Sequence, residues 1–107
     1  MALNQSVLDP LSFQPSSEKV REVARLLSML ANERRLEVLC LLSEQGEMTV
    51  GQLLEYLELS QSALSQHLSK LRAERFVESR KEGLNIFYRV DREDIKTILK
   101  TLHGLYC

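Results

Sequence analysis

The chain has 107 residues, 44% apolar and 27% charged, with a formal net charge of −1. That length supports one small domain with a modest core, and no apolar run approaches the roughly 20 residues that span a bilayer. The opening, MALNQSVLDPLSFQPSSEK, has neither the basic start nor the clean apolar stretch of a signal peptide, so a cytoplasmic protein without a membrane partner is expected.

Residues 1–16 contain both prolines, Pro10 and Pro15, and many polar side chains, and read as a flexible N-terminal arm; residues 17–107 read as the folded domain. In SSEKVREVARLLSML, Val20, Val23, Ala24, Leu27 and Leu30 recur at helical spacing on one face. Asn32 is placed to cap a second helix, ERRLEVLCLLSE, with Leu36, Leu39, Cys40 and Leu42 turned largely inward and Gly46 beyond its end. Thr49 followed three residues later by Gln52 is a capping-box pattern that opens TVGQLLEYL. Ser60 then caps QSALSQHLSKLRAER. The texture changes at FVESRK and LNIFYRV, two strand-like runs joined at Glu82-Gly83, which predict a hairpin. Asp91 is the expected cap of the last helix, with Ile95, Ile98, Leu99, Leu102 and Leu105 in one stripe.

Two short, tightly joined helices followed by a hairpin predict a mainly α fold, a winged helix-turn-helix. The apolar stripes of the first and last helices are wider than so small a core requires. They predict a homodimer joined through those two helices, as suits a reader of two half-sites.

Net charge gives no global sign of nucleic acid, but its distribution does. Residues 60–90 hold six basic and three acidic side chains, a local net of +3 that leaves −4 for the remainder. Within LSQSALSQHLSKLR, Leu64, Leu68 and Leu71 fall on one face. The opposite face carries Gln61, Ser62, Ser65, Gln66, Ser69 and Lys70. A merely solvated face usually bears Glu–Lys pairs, whereas short hydroxyls and amides can bond base edges in a major groove. Double-stranded operator DNA is thus the expected partner of Ser60, Gln61, Ser62, Ser65, Gln66 and Lys70. His67 is placed for packing or a phosphate bond. In the hairpin, Arg80, Lys81 and Asn85 are placed to reach the flanking DNA, with Glu82 weakening that surface.

ANERRLEVLCLL, LSQSALSQHLSKLR and VESRKEGLNIFYRV together resemble the ArsR/SmtB family of winged-helix repressors over about residues 20–107. EVLCLL with the terminal LHGLYC is similar to the persulfide-responsive branch of that family. The resemblance implies a homodimer that binds its operator when reduced and releases it when a Cys40–Cys107 dithiol is modified by a reactive sulfur species.

The usual metal sites of that family are not matched. Thr49 and Gly51 in EMTVGQL stand where its thiol site has two cysteines. Asp91, Asp94 and a solitary His103 are too few and poorly spaced for a tetrahedral zinc shell along the last helix. No metal and no cofactor is therefore expected, although a site of Cys40, Cys107 and His103 shared between subunits stays open, as does a plain disulfide formed by peroxide. Cys40 also reads as a small buried hydrophobe, and its neighbours do nothing obvious to activate it. Cys107, on a terminus that normally frays, is harder to explain by packing. An enzyme or thiol carrier is the rival class, but the chain lacks a Cys-x-x-Cys, a readable nucleophile–base pairing and any cofactor loop.

Overall fold

The computed structural model describes residues 16–107, so the expected arm lies, Ser16 excepted, outside the described residues. The element order is α1 (Ser17–Leu30), α2 (Glu33–Gln45), β1 (Met48–Thr49), α3 (Val50–Leu54), α4 (Gln61–Ala73), β2 (Glu78–Glu82), β3 (Asn85–Arg89) and α5 (Glu93–Tyr106). This is the winged helix-turn-helix expected from the sequence: α3 and α4 form the helical pair and β2–β3 the wing. Among the described residues no helix is long and apolar enough to cross a membrane.

Four helix starts are satisfied by the side chains that precede them. Ser16 Oγ accepts from the Lys19 amide at 3.1 Å, Asn32 Oδ1 from Arg35 at 3.1 Å and Ser60 Oγ from Ala63 at 3.1 Å. Thr49 and Gln52 complete the reciprocal box, at 3.2 and 2.9 Å. The last helix departs from expectation. Its cap is Arg92, which makes no side-chain cap bond, and not Asp91. Asp94, inside the first turn, instead accepts from the Ile95 amide at 2.8 Å and from Arg92. A carboxylate there meets the same orphan donors and the positive end of the helix.

One core joins the five helices with β1 and β3, and β2 adds no residue to it. Val38, Leu39 and Leu42 of α2 pack with Leu53 of α3, Leu64, Leu68 and Leu71 of α4, Val77 and Val90 beside the wing, and Ile95 and Leu99 of α5. Val38 is fully buried, a position the inward set on α2 did not include, whereas Leu36 and Cys40 are only partly buried at the core's edge. A helix at the centre of several partners buries more than one stripe.

The hairpin turn is displaced by one residue from the expected Glu82-Gly83. Glu82 pairs with Asn85, which leaves Gly83-Leu84 as the two-residue loop. Gly83 takes φ 64°, and a glycine at the first central position is what a type II′ hairpin requires. A third strand, β1, is absent from the sequence reading. Met48 pairs with Tyr88 and Thr49 with Phe87, so β3 is central and the wing is fastened to the helical body.

Helix α4 closes in the paired bonds of a Schellman ending: Phe76 N–H donates to the Leu71 carbonyl at 2.8 Å and Arg75 N–H to the Arg72 carbonyl at 3.0 Å. This places Arg75 at φ 64°, in the left-handed region that costs a residue with a Cβ about 1–2 kcal/mol. Arg75→Gly is expected to stabilise the fold by about 0.5–1 kcal/mol, because glycine's larger unfolded-state freedom offsets part of the relief. Thermal or urea unfolding checks this, and an unchanged or lowered midpoint contradicts it.

Candidate functional site

The outer face of α4 is built by the burial of the inner one. Leu64, Leu68 and Leu71 are sunk in the core, and this turns Gln61, Ser62, Ser65, Gln66, Ser69 and Lys70 to solvent. His67 lies between the two faces, partly buried. Ser60 is exposed but committed to the Ala63 amide, with its Oγ 3.3 Å from that of Ser62. The six outward side chains carry one full charge, that of Lys70, and together present hydroxyl and amide groups that can both donate and accept.

The wing divides its expected residues. Lys81 and Asn85 are exposed on either side of the tip, and Leu84, at the tip itself, is 99% exposed. Arg80 is engaged within the protein. Its Nε donates to Glu47 at 2.8 and 3.1 Å, its Nη2 to the same carboxylate at 2.7 Å, and its Nη1 to Glu82 at 2.9 Å. The guanidinium also lies 4.6 Å from the Phe87 ring centroid. Bonding to Glu47 and Glu82 raises the Arg80 pKa above its ordinary value, and bonding from Arg80 holds the Glu47 carboxyl below the usual carboxylate range. Arg89 joins the same cluster, at 3.4 Å from Glu47 and 3.2 Å from Glu78. Glu47, just before β1, thus ties both wing strands to the body. Glu82, which weakened the wing as a DNA-facing surface in sequence, is drawn onto Arg80.

The two cysteines, separated by 66 residues, are free thiols brought to one region where α5 lies against α2. Cys40 is partly buried and Cys107, just past the end of α5, is exposed. Burial pushes the Cys40 thiol up; the nearby Glu44 carboxylate and then Cys107 push it the same way. An open groove of about 440 Å³ runs between the helices, with Cys40, Ser43 and Glu44 on one side and Lys96, Leu99, Lys100 and His103 on the other. His103 Nε2 lies 3.3 Å from Glu44 Oε2. Among the described residues no group of three or more His, Cys, Asp or Glu gathers as a metal would require.

Residues 32–79, which run from the cap of α2 to the first wing strand, match the model of the arsR family of bacterial regulatory proteins. The transcriptional activator HlyU of Vibrio cholerae is 44% identical over 98 residues, 92% of this chain and 90% of that protein. The chain belongs to the arsR family. It is a DNA-binding transcriptional regulator. The biofilm growth-associated repressor of Agrobacterium fabrum is 39% identical over 94 residues, 87% of this chain and 80% of that one. Among solved structures, reduced HlyU from Vibrio cholerae matches with a TM-score of 0.79 at 46% identity, covering 84% of this chain and 94% of that one. The repressor BigR from Xylella fastidiosa matches at 0.78 and 36%, covering 84% and 91%.

Three features of this arsR-family chain escaped the sequence reading. The Glu47–Arg80 clamp joins residues 33 positions apart and leaves no local signal. The Leu84 tip became visible only with the true turn. Lys96, Lys100 and His103, however, stand at i, i+4 and i+7, a spacing that marks one helical face in the sequence itself.

The clamp has a pH sign. Because the folded-state pKa of Glu47 is depressed, its stabilisation is present above the unfolded carboxylate pKa and is lost as pH falls through the lower folded value. Glu47→Gln is therefore expected to speed amide exchange across β2–β3 at neutral pH while α4 stays protected. Wild-type wing exchange, corrected for intrinsic chemistry, is expected to rise only in acid. Hydrogen exchange checks both, and an unaffected wing in the variant contradicts the clamp.

Proposed function

We propose that this regulator is a homodimeric repressor that senses reactive sulfur species, such as persulfide and polysulfide, through Cys40 and Cys107 and releases its operator once they are modified. The observation that carries the reading is the delivery of Cys107 to the neighbourhood of Cys40 by the packing of α5 on α2. The charge of one bears on the ionisation of the other, and neither is tied up in a bond. Two free thiols that meet only through tertiary structure report on that structure. A link between them biases how α5 sits on the body.

In this reading Gln61, Ser62, Ser65 and Gln66 meet base edges, while Lys70 and Lys81 meet phosphates and Asn85 the flanking groove. Ser60 holds the start of the reading helix and Arg80 the wing, and His67 packs at the helix edge or bonds a phosphate. The dimer forms through α1 and α5. Val20, Val23 and Leu27 are 50%, 50% and 54% exposed in the single chain, and Leu105 and Tyr106 are 69% and 81% exposed, apolar side chains on the two helices that a partner copy would cover. Because α5 serves both the dimer and the cysteine pair, a bridge changes the spacing of two reading heads that must fall one helical turn apart. Relatives bear both activator and repressor names. The repressor reading takes release on modification as the event that frees a promoter.

Three outcomes are expected. Ser65→Ala and Gln66→Ala each reduce discrimination for the operator by about 1–3 kcal/mol without unfolding the protein; competition titration against random duplex measures this, and two wild-type results place the reading face elsewhere. Leu27→Asp yields a monomer in sedimentation at micromolar concentration, and a persistent dimer contradicts the α1 interface. Cys40→Ser and Cys107→Ser each bind operator but keep it after polysulfide treatment; normal release by either one sinks the dithiol switch.

A further inference from the structure

The groove between α2 and α5 has the composition of a ligand site. Cys40 and Leu99 give it a soft, apolar lining, and Lys96, Lys100 and His103 supply cationic or donor groups along one helical face. Two lysines stand against a single lining carboxylate, Glu44, which is already engaged by His103 at 3.3 Å. Lys96 touches Glu93, at 3.5 Å, but Glu93 is 87% exposed, so that pair is weakly held. The lining excess is positive, in a chain whose net charge is −1.

We propose that this groove captures short anionic polysulfide chains, with Lys96 and Lys100 steering the anion and Leu99 and Cys40 accommodating its polarisable body. The proposal rests on the sulfur-sensing reading above and adds the residues that draw the donor to Cys40. It also resolves a difficulty at that thiol. Cys40 sits in surroundings that disfavour its thiolate, so a reactive encounter needs a high local concentration of donor and positive charge near the reacting sulfurs. The lysines provide both. The Cys40 thiol first loses its proton to water. Its sulfur then attacks the inner sulfur beside the SH end of the anion −S–Sx–SH, the bond to that terminal sulfur breaks, hydrosulfide leaves, and the remaining terminal sulfur takes up a proton from water. The Cys107 thiolate, its proton likewise passed to water, attacks the sulfur next to the new terminus and expels a second hydrosulfide. The result is Cys40–S–Sx−1–S–S–Cys107 when written from the cysteines outward. In total, two cysteines are oxidised, two terminal sulfurs are reduced to hydrosulfide, and x donor sulfurs remain between the two Sγ atoms.

The test compares the wild-type dimer with the Lys96→Gln/Lys100→Gln double variant, reading the rate of sulfur addition by intact mass spectrometry. Inorganic polysulfide is one donor and a neutral dialkyl trisulfide the other. The variant is expected to react at least about tenfold more slowly with polysulfide, the scale of electrostatic focusing. It is expected to match wild type with the neutral trisulfide. Raising the salt from about 0.01 to 1 M, which cuts the screening length from about 30 to 3 Å, is expected to slow only the wild-type reaction with polysulfide. Equal rates for variant and wild type with polysulfide, or equal slowing with both donors, overturn the capture site. Failure of both donors to modify Cys40 in the wild type overturns the sulfur-sensing reading itself.

Discussion

The packing of α5 across α2 is the contact on which the rest of the molecule depends. Ile95 and Leu99 from one helix and Val38 and Leu39 from the other are almost wholly removed from water. Truncating any one of them to alanine in such a core costs several kcal/mol, about 2–5 for a leucine or isoleucine. That contact closes the core that also holds α4 by Leu64, Leu68 and Leu71, and so sets where the polar face of α4 points. It also carries Cys107 into the neighbourhood of Cys40. Helix α4 and the thiol pair thus share one packed core, which is close-packed and resists gradual deformation. In the proposed switch, a change at the α2–α5 seam acts by shifting whole helices.

Charge is arranged around this core in two different ways. On the wing, cations are matched by carboxylates: Arg80 and Arg89 share Glu47, and Glu82 folds onto Arg80. These bonds tie the wing to the body, with Lys81 and Asn85 left outward beside an apolar tip. Between α5 and α2, Lys96 and Lys100 line a groove with one carboxylate, which His103 already engages. The first arrangement fastens the wing, and the second is the one proposed to draw an incoming anion. Bidentate Arg25–Glu74 bonds, both at 3.0 Å, add a third link, joining α1 to the residue that caps α4. The helix proposed to form the dimer is tied directly to the end of the helix proposed to read DNA.

Local chemistry was legible in the sequence, and long-range pairing was not. Asn32, Thr49 with Gln52, and Ser60 each bond an amide three residues away, so their roles could be read from spacing alone. The leucine face of α4 and the hairpin were legible for the same reason. Strand β1 has two residues and exists because β3 offers Tyr88 and Phe87 as partners, far along the chain. The turn slipped by one residue because either Glu82-Gly83 or Gly83-Leu84 satisfies glycine's rule, and only the pairing of Glu82 with Asn85 decides between them. Asp91 lost the cap to Arg92 because Asp94 met the same need from inside the helix. At the candidate site, the outward face of α4 was legible. The engagement of Arg80 by Glu47 was not, and the cationic face of α5 was masked by the apolar stripe beside it.

The account stands on one link, that joining Cys40 to Cys107 is what releases DNA. The most direct measurement follows both quantities in one sample as polysulfide is titrated: the fraction of protein whose Cys40 and Cys107 peptides are joined, by mass spectrometry after digestion, and the fraction released from operator, by anisotropy. The account predicts that release rises in proportion to joined protein at every dose. Joined protein that still holds its operator, or full release while the two peptides remain separate, would contradict it.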